Sequence, residues 1–155
     1  MSVLRVGAAA PEFELSNQFG ERVSSASLLG APALLVFFPL AFTPVCEGEL
    51  SALAAAQAGG ALASVCVVGI SVDHRYALRD AADRLGVSFD LLSDFWPHGE
   101  VARAYGAFDE RRGHATRASF LLDASGRIAA TSTSEHAAAR NVADYFAAIE
   151  ALRRA

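Results

Sequence analysis

Leu34-Leu35-Val36-Phe37-Phe38-Pro39-Leu40-Ala41-Phe42-Thr43-Pro44-Val45-Cys46-Glu47-Gly48-Glu49-Leu50 decides how the chain is laid out. It opens as an unbroken run of large apolar side chains, the pattern of a central strand buried on both faces. Pro39 cannot donate to a sheet ladder, so the strand should end there. Pro44 suits the first turn of a helix, with Thr43 before it as the expected N-cap. Cys46 is thereby placed in the first helical turn, at the carboxyl edge of a central strand. Open α/β sheets carry their chemistry at that edge.

A helix start offers unpaired N–H groups and about half a positive charge, and both favour a thiolate over a thiol. An ordinary cysteine, with a pKa near 8.5, is only about 3% thiolate at neutral pH. Dipole help of roughly 1–2 kcal/mol improves this without settling it, so a nearby cation is required. The competing reading is a small buried hydrophobe, the usual fate of a free cysteine. The Thr43-Pro44 start favours the chemical reading.

The spacing Pro39-x-x-x-Thr43-x-x-Cys46 resembles the active-site signature of peroxiredoxins, thiol peroxidases on a thioredoxin-like fold. Phe37 to Thr43 and Cys46-x-Gly48-Glu49-Leu50 are especially similar to the alkyl hydroperoxide reductase E group. So is Leu91-Leu92-Ser93-Asp94-Phe95-Trp96-Pro97-His98-Gly99. With the opening Ala10-Pro11-Glu12-Phe13-Glu14-Leu15, the resemblance runs from about Gly7 to Asp123 and is weakest in the C-terminal helix.

Composition bounds the answer independently. The 155 residues are expected to form a single domain, 1–155, and 53% hydrophobic with 19% charged residues excludes disorder. No apolar stretch is long enough to span a bilayer, and Met1 to Ala10 lacks a basic start followed by an apolar core. A soluble, cytoplasmic protein without a membrane partner is expected. A net charge of −4, with Arg111-Arg112 and Arg153-Arg154 as the only basic pairs, argues against a nucleic-acid partner. Two cysteines do not make a disulfide framework, and the four histidines lack metal-ligand spacing, so no metal is expected, and the peroxiredoxin resemblance implies no heme or flavin cofactor either.

The rest of the chain completes an α/β pattern. Glu12 to Leu15 and Glu21 to Val23 flank an Asn/Gly-rich turn and read as an N-terminal β-hairpin extension. A strand from Ala33 to Phe38 leads to a helix from Pro44 to about Gln57, ended by Gly59-Gly60. Ser64 to Val72 is a second apolar strand, so this strand–helix–strand unit implies a parallel pair. A helix from His74 to Leu85, a strand from Phe89 to Leu92 and a helix from Pro97 to Tyr105 follow. Arg117 to Leu122 and Arg127 to Thr131 straddle the turn Asp123-Ala124-Ser125-Gly126, and Ala137 to Arg153 is a last helix. A mixed central sheet flanked by helices results, as in a thioredoxin-like fold.

Cleaving a peroxide O–O bond requires a thiolate, alignment of three atoms and stabilisation of the leaving oxygen. The resemblance implies a catalytic set of Cys46, Thr43, Arg117 and Pro39. Thr43 can set its hydroxyl beside the sulfur, with simple capping as its other role, and Pro39 shields the thiolate besides ending the strand. Arg117-Ala118-Ser119-Phe120-Leu121-Leu122-Asp123 is similar to the family's arginine-bearing strand, so the resemblance makes Arg117 the missing cation rather than a surface arginine. At about 4 Å and an effective dielectric near 20 its charge is worth up to about 4 kcal/mol, more than the dipole. Supporting positions are Glu49, similar to a family glutamate near that arginine although a solvated helix glutamate is the ordinary case, and Phe42 and Trp96. These two aromatics could line an entrance for organic peroxides or a dimer interface, core packing being their commoner role.

The resemblance implies reduction of hydrogen peroxide, organic hydroperoxides or peroxynitrite. It also implies a Cys46 sulfenic acid, recycling by a low-molecular-weight thiol or a thioredoxin- or glutaredoxin-like protein, and a homodimer or larger homo-oligomer. Two-cysteine members carry a resolving cysteine five residues on, which is Ser51 here, or in a C-terminal tail, which has none. Cys66 falls at the opposite strand end, about 13 Å away at roughly 3.3 Å per residue, too far for a disulfide, and is expected to be a packing residue. The alternatives are a peroxide sensor that passes oxidation to a partner, and a thiol–disulfide oxidoreductase, which would need a cysteine where Thr43 stands.

Overall fold

A five-residue run of large apolar side chains can be stable in water only if both of its faces are covered. A computed structural model describes residues 3–135 and 138–155 and shows how this is done. In chain order come β1 (Glu14–Ser16), β2 (Arg22–Ser24), a 3-10 turn (Ser25–Leu28), β3 (Ala33–Phe37), α1 (Pro44–Ala58) and β4 (Cys66–Ser71). Next are α2 (Arg75–Leu85), β5 (Asp90–Ser93), α3 (Glu100–Ala104), β6 (Phe108–Asp109) and β7 (His114–Ala115). β8 (Arg117–Leu122), β9 (Ile128–Ser134) and α4 (Val142–Arg154) complete the fold.

Seven strands make one sheet in the order β2-β1-β5-β4-β3-β8-β9, with β3 near its middle. β3 runs parallel to β4, from Ala33 opposite Cys66 to Phe37 opposite Ile70. It runs antiparallel to β8, with Val36 opposite Ser119 and Ala33 opposite Leu122. The mixed sheet and the parallel strand–helix–strand unit therefore stand as the sequence implies, and the β1–β2 hairpin pairs onto β5 at its edge.

The pleat sorts the apolar run by parity. Leu34, Val36 and Phe38 join a core with Leu50, Leu53, Leu78, Tyr145 and Ile149, beneath α1, α2 and α4. Leu35 and Phe37 join Val101, Tyr105 and Phe120 on the opposite face. Full burial of each such leucine or phenylalanine contributes about 1.5–3 kcal/mol, so this strand is a main anchor of the fold.

Two helix starts and the setting of Cys66 differ from the sequence expectation, each for a local reason. The helix expected from Pro97 is only Glu100–Ala104, because Gly99 turns through φ 70 before it and the Asp94 carboxylate accepts from the Val101 and Ala102 N–H groups. A side chain at Gly99 would also strike Phe108, its Cβ falling 2.2 Å from that ring. The last helix begins at Val142, not Ala137. Asn141 caps it by accepting from Ala143 N, and Arg140 is drawn inward instead. The expected start at Ala137 lies outside the described residues. Cys66 is not a packing residue: it opens β4 at the solvent-facing end and is exposed, while Val67 onward is buried.

Candidate active site

α1 begins where β3 has just ended, and its buried face is Cys46, Glu49, Leu50 and Leu53. That is the i, i+3, i+4, i+7 stripe of a helix laid against a core. Two of its four positions are a thiol and a carboxylate. Both point toward β8, whose first residue is Arg117.

Arg117 is 2% exposed, and its guanidinium bridges the two. One nitrogen, Nη2, donates to Cys46 Sγ at 3.1 Å, and the other, Nη1, donates to Glu49 Oε1. The planar fork thus holds a cation against the sulfur in a site from which water is excluded, where charge interactions are strong. Cys46 itself is fully buried.

A lone Arg117–Glu49 pair would be neutral and would leave little net charge for the sulfur. Arg140 corrects this. Its backbone N–H and Nε donate to Glu49 Oε2 at 2.6 and 2.8 Å, and Nη2 donates to Oε1 at 3.0 Å. Its remaining nitrogen, Nη1, donates to Ser119 Oγ at 2.9 Å, which in turn shares a 2.7 Å hydrogen bond with the Tyr145 hydroxyl. Two guanidinium groups against one carboxylate leave one positive charge, which a Cys46 thiolate neutralises. Burial pulls the Glu49 carboxyl upward, but the hydrogen bonds and charge of Arg140, aided by Arg117, outweigh it and hold Glu49 below the usual carboxylate range.

The loop between β3 and α1 carries the remaining expected residues. Pro39 is buried two residues beyond the end of β3, where the ladder can go no further. Thr43 occupies the N-cap with extended backbone, yet its hydroxyl does not cap the helix. Instead Oγ1 donates to the Leu40 carbonyl at 2.9 Å. With its proton committed there, Oγ1 remains an acceptor for a proton on a bound molecule.

The structure gathers Cys46, Arg117 and Glu49 by direct contact and places Pro39 and Thr43 in the loop that leads to them. It does not gather Phe42 and Trp96. Phe42 is 43% exposed under the guanidinium of Arg84, 5.5 Å from the ring centroid. Trp96 is 78% exposed and lines a separate groove with Phe13, His74, Arg75, Phe95 and Glu100, to which Cys46 does not contribute. Among the described residues no group of His, Cys, Asp or Glu could hold a metal ion.

The sequence matches the AhpC/TSA family over residues 6–131. The chain belongs to that family. It is a peroxiredoxin, and hence an enzyme of the thiol peroxidase class. Alkyl hydroperoxide reductase E of Mycobacterium tuberculosis is 44% identical over 127 residues, covering 81% of this chain and 83% of that protein. Peroxiredoxin Bcp of Escherichia coli is 34% identical over 134 residues, covering 83% of this chain and 85% of that one. The crystal structure of Enterococcus faecalis AhpC superposes with a TM-score of 0.87 at 28% identity, over 96% of this chain and 92% of that chain. The thioredoxin-like fold implied by the resemblance therefore holds for this peroxiredoxin. Among the described residues no helix is long and apolar enough to cross a membrane.

Sequence reasoning missed Arg140, Ser119 and Tyr145. The usable signal was Asn141 followed by Asp144, an N-cap with an acid in the first turn, which starts the helix after Arg140 and frees that residue to turn inward.

Proposed function

We propose that this peroxiredoxin works by a one-cysteine mechanism on hydrogen peroxide, organic hydroperoxides or peroxynitrite, with Cys46 as the nucleophile. The observation that carries the reading is the Arg117 nitrogen 3.1 Å from Cys46 Sγ inside a buried, charge-compensated network. The thiolate attacks the nearer peroxide oxygen, and a new S–O bond forms as the O–O bond breaks; the departing oxygen takes a proton from solvent and leaves as water or an alcohol, or, from peroxynitrite, departs as nitrite. Arg117 holds the oxygens while their charge grows, and Thr43 Oγ1 accepts a hydrogen bond from the O–H of the attacked oxygen and so aims it, the proton staying on the sulfenic acid. Pro39 keeps water from the sulfur. Glu49 and Arg140 fix the Arg117 fork.

The sulfenic acid is then reduced by an external thiol, either of low molecular weight or on a thioredoxin- or glutaredoxin-like protein. Cys66 pairs in register with Ala33, at the end of β3 away from α1, which supports a cycle without an internal partner. A cytoplasm rich in reduced thiols suits such a cycle. The name of the Mycobacterium relative supports alkyl hydroperoxides among the substrates. Exposed Phe42 and Trp96 are proposed as part of a homodimer surface, with residues 1–155 acting as one catalytic domain.

Intact-mass analysis after one equivalent of hydrogen peroxide tests the mechanism. One added oxygen on Cys46, or an adduct with an added small thiol, is expected. Loss of two hydrogens, mapped to a Cys46–Cys66 bond, would overturn it. Light scattering on the same sample should give at least a dimer mass; a strictly monomeric mass at micromolar concentration would remove the proposed surface.

A further inference from the structure

We propose that Asp73 is a positioning residue for peroxide attack, acting through the peptide unit that joins Leu40 to Ala41. The inference rests on the reading of Cys46 and Thr43 as the reaction centre.

Asp73 follows β4 and faces the active-site loop. Its Oδ2 accepts the N–H of Ala41 at 2.9 Å and the Ser71 hydroxyl at 2.6 Å. The aspartate is itself held from both sides. Its N–H donates to Ser71 Oγ at 3.2 Å, and its carbonyl accepts from Ser93 Oγ at 2.7 Å. The Ser71 carbonyl in turn accepts from the Asp94 N–H at 2.7 Å. The carboxylate is thus fastened to the ends of β4 and β5, both parts of the rigid sheet.

Ala41 is fully buried, so its N–H must find a partner within the protein. That N–H and the Leu40 carbonyl belong to one peptide unit, which is planar and stiff. The Leu40 carbonyl accepts from Thr43 Oγ1 at 2.9 Å and from Thr43 N at 3.3 Å. Asp73 grips one side of this plane and the Thr43 hydroxyl hangs from the other. A tilt of the plane moves Oγ1 and turns its free lone pair away from the place the peroxide proton must occupy. The Arg117, Glu49 and Arg140 contacts lie on α1, β8 and the segment before α4, and none of them passes through Asp73. The expected signature is therefore a slower reaction at an unchanged thiolate population.

The test uses the full chain in a Cys66→Ser background, so that ultraviolet thiolate absorbance against pH reports Cys46 alone. Rates with hydrogen peroxide are measured by stopped flow. Asp73→Ala should slow peroxide reduction about tenfold or more, since misplacement by an ångström can cost two orders of magnitude, while leaving the thiolate titration in place. Asp73→Asn should recover most of the rate, because both bonds converge on one oxygen that an amide carbonyl can replace. In a Thr43→Val background, Asp73→Ala should add little further slowing, as expected for residues acting in series. Should Asp73→Ala fail to fold, Ser71→Ala loosens the same oxygen and should show a smaller slowing with the same unchanged titration.

Three results would overturn the inference: an Asp73→Ala rate equal to the parent's, a titration that moves in step with the rate, or full additivity with Thr43→Val. A parent protein whose Cys46 ignores peroxide would instead overturn the catalytic reading on which it stands.

Discussion

Cys46 and Cys66 belong to one sheet-and-helix unit, and the fold treats them as opposites. Cys46 follows the carboxyl end of β3, fully buried, with a guanidinium nitrogen at 3.1 Å. Cys66 opens β4 at the amino end, exposed, where partial desolvation first and the Asp90 carboxylate second push its thiol pKa up. A buried sulfur would ordinarily be the less reactive one. Here the buried sulfur has a cation and the open one faces a carboxylate, so charge placement outweighs accessibility.

The largest effect expected from this contrast is all-or-none. Cys46→Ser should abolish peroxide consumption with the circular dichroism spectrum of the folded protein intact, whereas Cys66→Ser should consume peroxide like the parent. Turnover surviving in Cys46→Ser would end the assignment of the nucleophile. A smaller effect isolates the cation. Arg117→Ala should slow peroxide reduction by about tenfold or more, since it removes the positive charge beside the sulfur. Arg127→Ala should not, since its exposed side chain donates to the Gly7 carbonyl. An Arg117→Ala rate equal to the parent's would remove Arg117 from the support of Cys46.

The last prediction concerns stability rather than rate. Because Glu49 is held below its ordinary value of 4.5, the stability it contributes is present above that pH and is lost as pH falls through the folded value. Glu49→Gln should therefore be less stable than the parent at neutral pH, with the gap closing in acid. Buried Asp94 carries the opposite sign. Desolvation raises it from 3.8 to about 6 against the pull of the Val101 and Ala102 N–H groups. Its contribution is greatest below 3.8 and falls as pH rises through about 6. Urea titrations across that range read both, and parallel curves for Glu49→Gln and the parent would contradict the charge-compensation account.

Local pattern carried the sequence reading as far as β3, α1 and the position of Cys46, because an apolar run, a proline and an N-cap act over a few residues. Arg117 came from the family resemblance, and its strand is confirmed by pairing with β3. Residue type makes Glu49 a solvated helix residue, whereas its place in the i, i+3, i+4, i+7 stripe puts it on the core side. Arg140 was out of reach, since its contact with Glu49 spans 91 residues and depends on α4 starting late. Trp96 shows the limit of residue type as a guide: a large aromatic beside a recognisable motif lines a groove to which Cys46 does not contribute.

The complete burial of Cys46 also sets a schedule for the catalytic cycle. A peroxide of two heavy atoms needs only a brief breath of the Pro39–Thr43 loop to reach the sulfur. A reducing thiol must approach the sulfenic sulfur in line with its S–O bond and brings a whole molecule behind it. The first turn of α1 must therefore swing open further for resetting than for oxidation. In the proposed one-cysteine cycle, that wider opening of the helix end is a demand of the resetting step that oxidation does not share.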